Sequence, residues 1–161
     1  AASENETGDI IHGAIFAARP DVQAIVHTHT PAITAVSCLP GGLAFLSQDS
    51  ARYFERVAVH PYEGLSTCDE ERVRIGAAMS SELAPGAGLP TALMMANHGG
   101  VTVGRTIEEA WVRMYYLDVA CRVQLLARGG AGAEAPAEIP APMLRHARLQ
   151  FDESFLDGQA E

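Results

Sequence analysis

Val22-Gln23-Ala24-Ile25-Val26-His27-Thr28-His29 is an apolar run that ends in two histidines one residue apart. It reads as a buried strand. In a strand, residues i and i+2 point to the same side, so His27 and His29 present two imidazoles a few ångströms apart. Such a pair can share a divalent metal ion. It also fits two histidines that are simply hydrogen-bonded. A third imidazole stands at Asn97-His98-Gly99-Gly100, just past a second apolar run, Thr91-Ala92-Leu93-Met94-Met95-Ala96. Both sets of histidines sit at strand ends, where the sites of α/β folds gather. The glycines after His98 let backbone close in around a site. Three histidine ligands leave one coordination position open, which is what separates catalytic from structural zinc.

Composition limits what else the chain can be. Its 161 residues suit one domain with a single core, and 48% apolar residues mark a folded protein. A formal charge of −9 argues against nucleic acid and anionic membranes as partners. No apolar stretch reaches membrane-spanning length, and Ala1-Ala2-Ser3-Glu4-Asn5-Glu6 does not read as a signal peptide. Cys38, Cys68 and Cys121 lie outside any CxxC and read as reduced, mostly buried thiols of a cytoplasmic protein. All eleven basic residues are arginine. Without lysine there is no Schiff base and no Walker-type phosphate loop. Carbon–carbon chemistry here would need a metal or another cofactor as its electron sink.

Along the chain, helices and strands alternate. A helix is expected over 9–18, with Asp9 as its cap, then the strand over 22–29. Thr30-Pro31 has the pattern of an N-cap followed by proline and opens a short helix to about Cys38. Short apolar segments at 43–47 and 56–60 read as strands. Thr67 and Glu70 have capping-box spacing and start a helix to about Leu83. Thr106 and Glu109 repeat that spacing and open the longest helix, which carries Ala110, Met114, Leu117, Cys121 and Leu125 at helical intervals. Gly129-Gly130 closes it. Residues 129–142 read as a Gly/Ala/Pro-rich loop or linker, and 143–161 as a polar tail.

Several blocks together resemble the class II aldolase/adducin family. They are His12-Gly13-Ala14-Ile15-Phe16-Ala17-Ala18-Arg19-Pro20-Asp21, the His27-Thr28-His29 pair, Asn97-His98-Gly99 and Gly104-Arg105-Thr106-Ile107-Glu108-Glu109-Ala110, in family order and spacing. The resemblance covers 5–128 and makes 1–128 the family domain. It implies an α/β fold, a three-layer α/β/α sandwich on a largely antiparallel or mixed sheet. It implies a divalent metal, Zn2+ first and Mn2+ or Fe2+ next, held by His27, His29 and His98. It also implies a cytoplasmic homotetramer with sites at subunit interfaces and a small carbonyl or hydroxy-acid substrate. As a Lewis acid the metal would stabilise the enediolate or enolate left when a C–C bond breaks. That intermediate serves aldol cleavage and decarboxylation alike. The resemblance further implies an upstream segment carrying much of a substrate-phosphate site, and the chain begins after it.

One departure is informative. The family's sugar-phosphate aldolases carry an acidic residue where this chain has Gly8; Asp9 is next to it and Glu6 two residues away. This moves weight to the adducin-like or decarboxylase-like branch. Candidate proton carriers are Asp9, Tyr62 in Tyr62-Glu63-Gly64, and His146, which falls where some family members supply a C-terminal catalytic residue to a neighbouring subunit. His12 is a further candidate with a packing role as the alternative. His60 reads as a surface residue, Arg19 as half of a structural ion pair, and Trp111 and Met114 as core or interface. The expected function is a metal-dependent lyase. The alternatives are a non-catalytic adducin-like interaction module and an iron-dependent oxygenase on the same histidines.

Overall fold

Ala24–Thr28 forms strand β1 at one edge of a sheet, antiparallel to β4, Gly99–Gly104. The computed structural model describes residues 6–130 and 134–157. Among these, β2 is Val57–His60 and β3 is Ala92–Met95, and the sheet runs β1-β4-β3-β2. β4 is antiparallel to both its neighbours, whereas β2 is parallel to β3, so the sheet is mixed.

The central strands are buried at every residue because both faces are covered. Leu93, Met95, Val101 and Val103 face α1 (Glu6–Ala18) and α4 (Asp69–Met79), packing on Ile11, Ile15, Ile75 and Met79. Ala92 and Met94 face the other way, onto α2 (Pro31–Ser37) and α5 (Ile107–Gly130), through Ile33, Val36, Met114 and Leu117. The short α3 (Gln48–Ala51) lies on the α5 side, and α6 (Ala141–Asp157) packs on it. The result is the expected three-layer α/β/α sandwich.

Local signals act where they were read. Thr30 Oγ1 accepts from Ile33 N at 3.3 Å, with Pro31 at the first helical position. Thr106 Oγ1 accepts from Glu109 N at 3.2 Å at the start of α5. A Cβ on Gly104 would lie 2.6 Å from Ala110 N, so only glycine lets β4 run directly under the first turn of α5.

Other expectations change. Residues 43–47 form no strand, because Gln124 of α5 takes over their backbone: its Nε2 donates to Gly42 O at 2.9 Å and its Oε1 accepts from Ala44 N at 2.7 Å. α4 begins at Asp69 without a capping box; Thr67 Oγ1 donates to Leu65 O instead. α1 begins at Glu6, which puts Asp9 inside the helix rather than at its cap. The tail is a helix. Leu144 and Arg148 are buried at one-turn spacing, with Phe151 half-buried a turn later on the same face. Of the linker, 131–133 lie outside the described residues.

Cysteine placement also differs. Cys121 is buried in the α5 core, but Cys38 and Cys68 are exposed. Burial pushes the Cys121 thiol up to about 12. The thiolate is the reactive form, so Cys121 is inert near neutral pH. Alkylation of the folded protein at pH 8, read by mass spectrometry, should label Cys38 and Cys68 and spare Cys121 until denaturant is added. Labelling of Cys121 at the rate of the other two would contradict this packing.

Candidate metal centre

Antiparallel pairing carries the histidines together. His27 lies opposite Val101 and Thr28 opposite Gly100, so the end of β1 sits beside the beginning of β4. His98 occupies the three-residue turn Ala96–His98 that joins β3 to β4. Asn97 takes the left-handed conformation there, at φ 56°, which asparagine tolerates. Ser37 of α2 holds this turn: its carbonyl accepts from Asn97 N at 3.1 Å and its Oγ from His98 N at 3.2 Å.

The three rings meet with centroids 4.7 Å (27–29), 5.0 Å (27–98) and 4.6 Å (29–98) apart. One ligand nitrogen from each lies within 4.8 Å of the others. His27 Nδ1 is 3.0 Å from Gly100 O. A carbonyl only accepts, so Nδ1 carries the proton and Nε2 keeps its lone pair. That lone pair faces His29 Nε2 at 2.9 Å. Two nitrogens bound to one tetrahedral ion at about 2.0–2.1 Å would be roughly 3.3 Å apart, so a small adjustment suffices. Burial, set against the Gly100 hydrogen bond, pushes His27 down to about 4; His29 and His98 add to the effect. His98 is lowered too, by burial first. Both rings are therefore neutral near pH 7, the form that binds metal. The residues present fit a divalent cation.

A second group, His60, Glu63 and Glu71, also converges within 4.8 Å. Its members are engaged with one another or with neighbours. Glu71 accepts from Ser66 Oγ at 3.0 Å and pairs with His60 Nε2 at 3.1 Å, all three being buried. Glu63 is paired with Arg74, whose Nε donates at 2.8 Å. His60 is thus a core residue of β2 rather than a surface one. The clue was its spacing from buried Ala58 on the same strand face. Glu71 is close enough for its charge to oppose the lowering of His98.

The remaining candidates lie around the cluster rather than in it. His12 on α1 is half-buried, lowered by burial, and its charge acts on His27. Asp9, exposed one turn earlier, acts in turn on His12. Tyr62 is 57% exposed, in the loop after β2. That loop starts beside the His98 turn, since Ala96 N donates to His60 O at 2.9 Å. His146 is exposed on α6, a helix anchored elsewhere: Arg145 donates to Glu55 and Arg148 to Ala87 O, just ahead of the first residues of β2 and β3. Arg19 is the structural residue expected, donating to both Asp21 oxygens and to the Met79 and Pro90 carbonyls.

A sequence model of the Class II Aldolase and Adducin N-terminal domain matches residues 3–125. The chain belongs to the class II aldolase and adducin family. A class 2 aldolase-type protein of Pseudomonas aeruginosa is 38% identical over 144 residues, covering 89% of this chain and 52% of that protein. α-Adducin of Rattus norvegicus is 40% identical over 128 residues, 80% of this chain but 16% of the adducin. The solved L-fuculose 1-phosphate aldolase of Glaciozyma antarctica PI12 superposes with a TM-score of 0.70 at 32% identity, covering 91% of this chain and 51% of that one. The chain spans about half the length of the aldolase-type relatives it matches.

Gly99 offers a test of this centre that leaves every histidine in place. A Cβ there would lie 2.5 Å from Thr28 O and 2.8 Å from His29 Cδ2. Gly99→Ala should therefore displace His29 and weaken zinc binding at least about tenfold, roughly 1.4 kcal/mol, in a chelator competition titration. Gly130→Ala, with open space around it, should bind as the parent does. A folded Gly99→Ala with unchanged affinity would contradict the geometry.

Proposed function

We propose that this chain forms the metal-holding part of a lyase that cleaves a C–C bond next to a carbonyl or carboxylate, by aldol-type cleavage or decarboxylation. The observation that carries this reading is the convergence of His27, His29 and His98 with the His27 Nε2 lone pair turned inward. Zinc fits these imidazoles best, with manganese or iron as the other candidates. A divalent cation bound there would supply Lewis acidity towards a carbonyl oxygen and its neighbour.

The chain's own groups do the rest. Gly100 O holds His27 in one tautomer and one orientation. Ser37 holds the turn that presents His98. His12 moves a proton at the edge of the site, with Asp9 as its charged neighbour on α1. Tyr62 supplies a hydroxyl from the loop beside the His98 turn. His146 serves only a neighbouring subunit, since α6 is anchored elsewhere. Exposed Ile107, Trp111 and Tyr115 form an apolar stripe on α5, which supports a homo-oligomer, a tetramer on family grounds. The substrate is a small carbonyl or hydroxy acid. The acidic chain favours neither nucleic acid nor anionic lipid, and no described helix is long and apolar enough to cross a membrane. Two exposed free thiols fit the reducing cytoplasm.

The identity with α-adducin favours a second reading, a non-catalytic interaction module. One experiment separates the two. Protein purified without chelator is analysed for metals and then assayed with L-fuculose 1-phosphate and a panel of hydroxy acids for release of a carbonyl product or CO2. The lyase reading predicts about one metal per chain and turnover that falls at least about 100-fold, a loss of roughly 2.7 kcal/mol, in His98→Ala. Metal-free, inert protein would overturn it in favour of the module.

A further inference from the structure

A cavity of about 520 Å3 opens at the other end of the sheet, where β1, β2 and β3 begin and β4 ends. Residues following α3, together with α5 and α6, close its sides. β1 alone separates it from the histidines by roughly 13 Å, at about 3.3 Å per residue from Ala24 to Thr28. Nothing in the metal centre uses it.

Its wall is unusually cationic. Arg19, Arg52, Arg56, Arg105 and Arg113 line it against the carboxylates Asp21, Glu109 and Asp152. Five positive and three negative charges leave an excess of two. Asp49, 3.8 Å from Arg52 Nε, and Glu82, whose charge acts on Arg56, remove two, and buried Arg148, whose charge also acts on Arg56, restores one, so the wall stays cationic by one charge. Arg56 pairs with Asp152 at 2.9 Å and Arg113 with Glu109 at 2.6 Å. Despite these partners, burial holds both arginines below their usual range. Charges buried in this way are stabilised by further counter-charge.

The guanidinium groups are also incompletely satisfied. The Nε atoms of Arg52 and Arg56 are shut off from solvent and have no hydrogen-bond partner among the described residues. Arg52 Cζ lies over two aromatic rings, 4.0 Å from the Tyr116 centroid and 3.7 Å from that of Phe151. Two ring contacts of this kind hold the guanidinium in place while its N–H groups stay free to donate in its plane. A planar fork of this kind matches carboxylate and phosphate oxygens.

We propose that this cavity is a second binding site, for a small oxyanion, either a phosphate or a polycarboxylate. An oxyanion supplies the counter-charge that this wall lacks, and the volume lies within the roughly 300–1,000 Å3 of small-molecule sites. The site is independent of the metal centre and of the reaction proposed for it.

Isothermal titration of the metal-loaded chain at low salt, with inorganic phosphate and separately with citrate, tests this. Saturable binding of at least one anion, one per chain, is the expected result. Arg52→Gln should weaken it at least tenfold and Arg105→Gln at least threefold, while His29→Ala leaves it unchanged. Binding of phosphate alone or citrate alone identifies the source of the oxyanion. Should Arg52→Gln not fold, Arg105→Gln carries the test, its side chain being 53% exposed. The proposal is overturned if neither anion saturates, if both arginine variants that fold bind as the parent does, or if His29→Ala abolishes binding, which would put the anion on the metal.

Discussion

The hydrogen bond between His27 Nδ1 and Gly100 O joins the two halves of the candidate site. It ties the edge strand β1 to the start of β4 in a single register and settles which nitrogen of His27 faces inward. A one-residue slip of β1 would send His27 to the opposite face of the sheet. Much of the rest serves that register. Apolar side chains on both faces of β3 and β4 hold the pairing in place, and the absence of a side chain at Gly99 leaves room for the Thr28 carbonyl and the His29 ring.

How far this was legible in the sequence depended on whether the deciding contact was local. The strand before His29, though shorter (Ala24–Thr28) and only half-buried at the sheet edge, the Thr30-Pro31 cap and the apolar face of α5 rest on neighbours within a few residues, and they are present. The convergence of the three histidines was legible because a period of two and a run of glycines mark it. The failures needed partners far away in the chain. Gln124 captures the backbone of 42–44 from 80 residues off and prevents a strand. Glu71 turns inward to His60 and Ser66, which makes a core residue of a histidine that reads as surface. α6 buries Arg148, a residue that sequence patterning counts as polar.

The same distinction separates the two ends of the sheet. The histidine end is built from two short stretches, 27–29 and 98–100, each recognisable by itself. The arginine end is assembled from residues between Arg19 and Asp152, some in the Arg19–Asp21 and Gly104–Glu109 blocks and the others scattered along the chain. A chain without lysine places its buried cations on guanidinium groups, which stack and fork where an ammonium would remain a hydrated point charge. One sheet thus separates a cluster of three histidines from a cationic cavity.

The central claim is that His27, His29 and His98 bind one metal ion together. X-ray absorption at the zinc edge of the metal-loaded protein measures this directly. It should show three imidazole ligands at about 2.0–2.1 Å plus at least one lighter oxygen donor, with one imidazole fewer in His98→Ala. A spectrum without imidazole scattering, or one unchanged by that substitution, would contradict it.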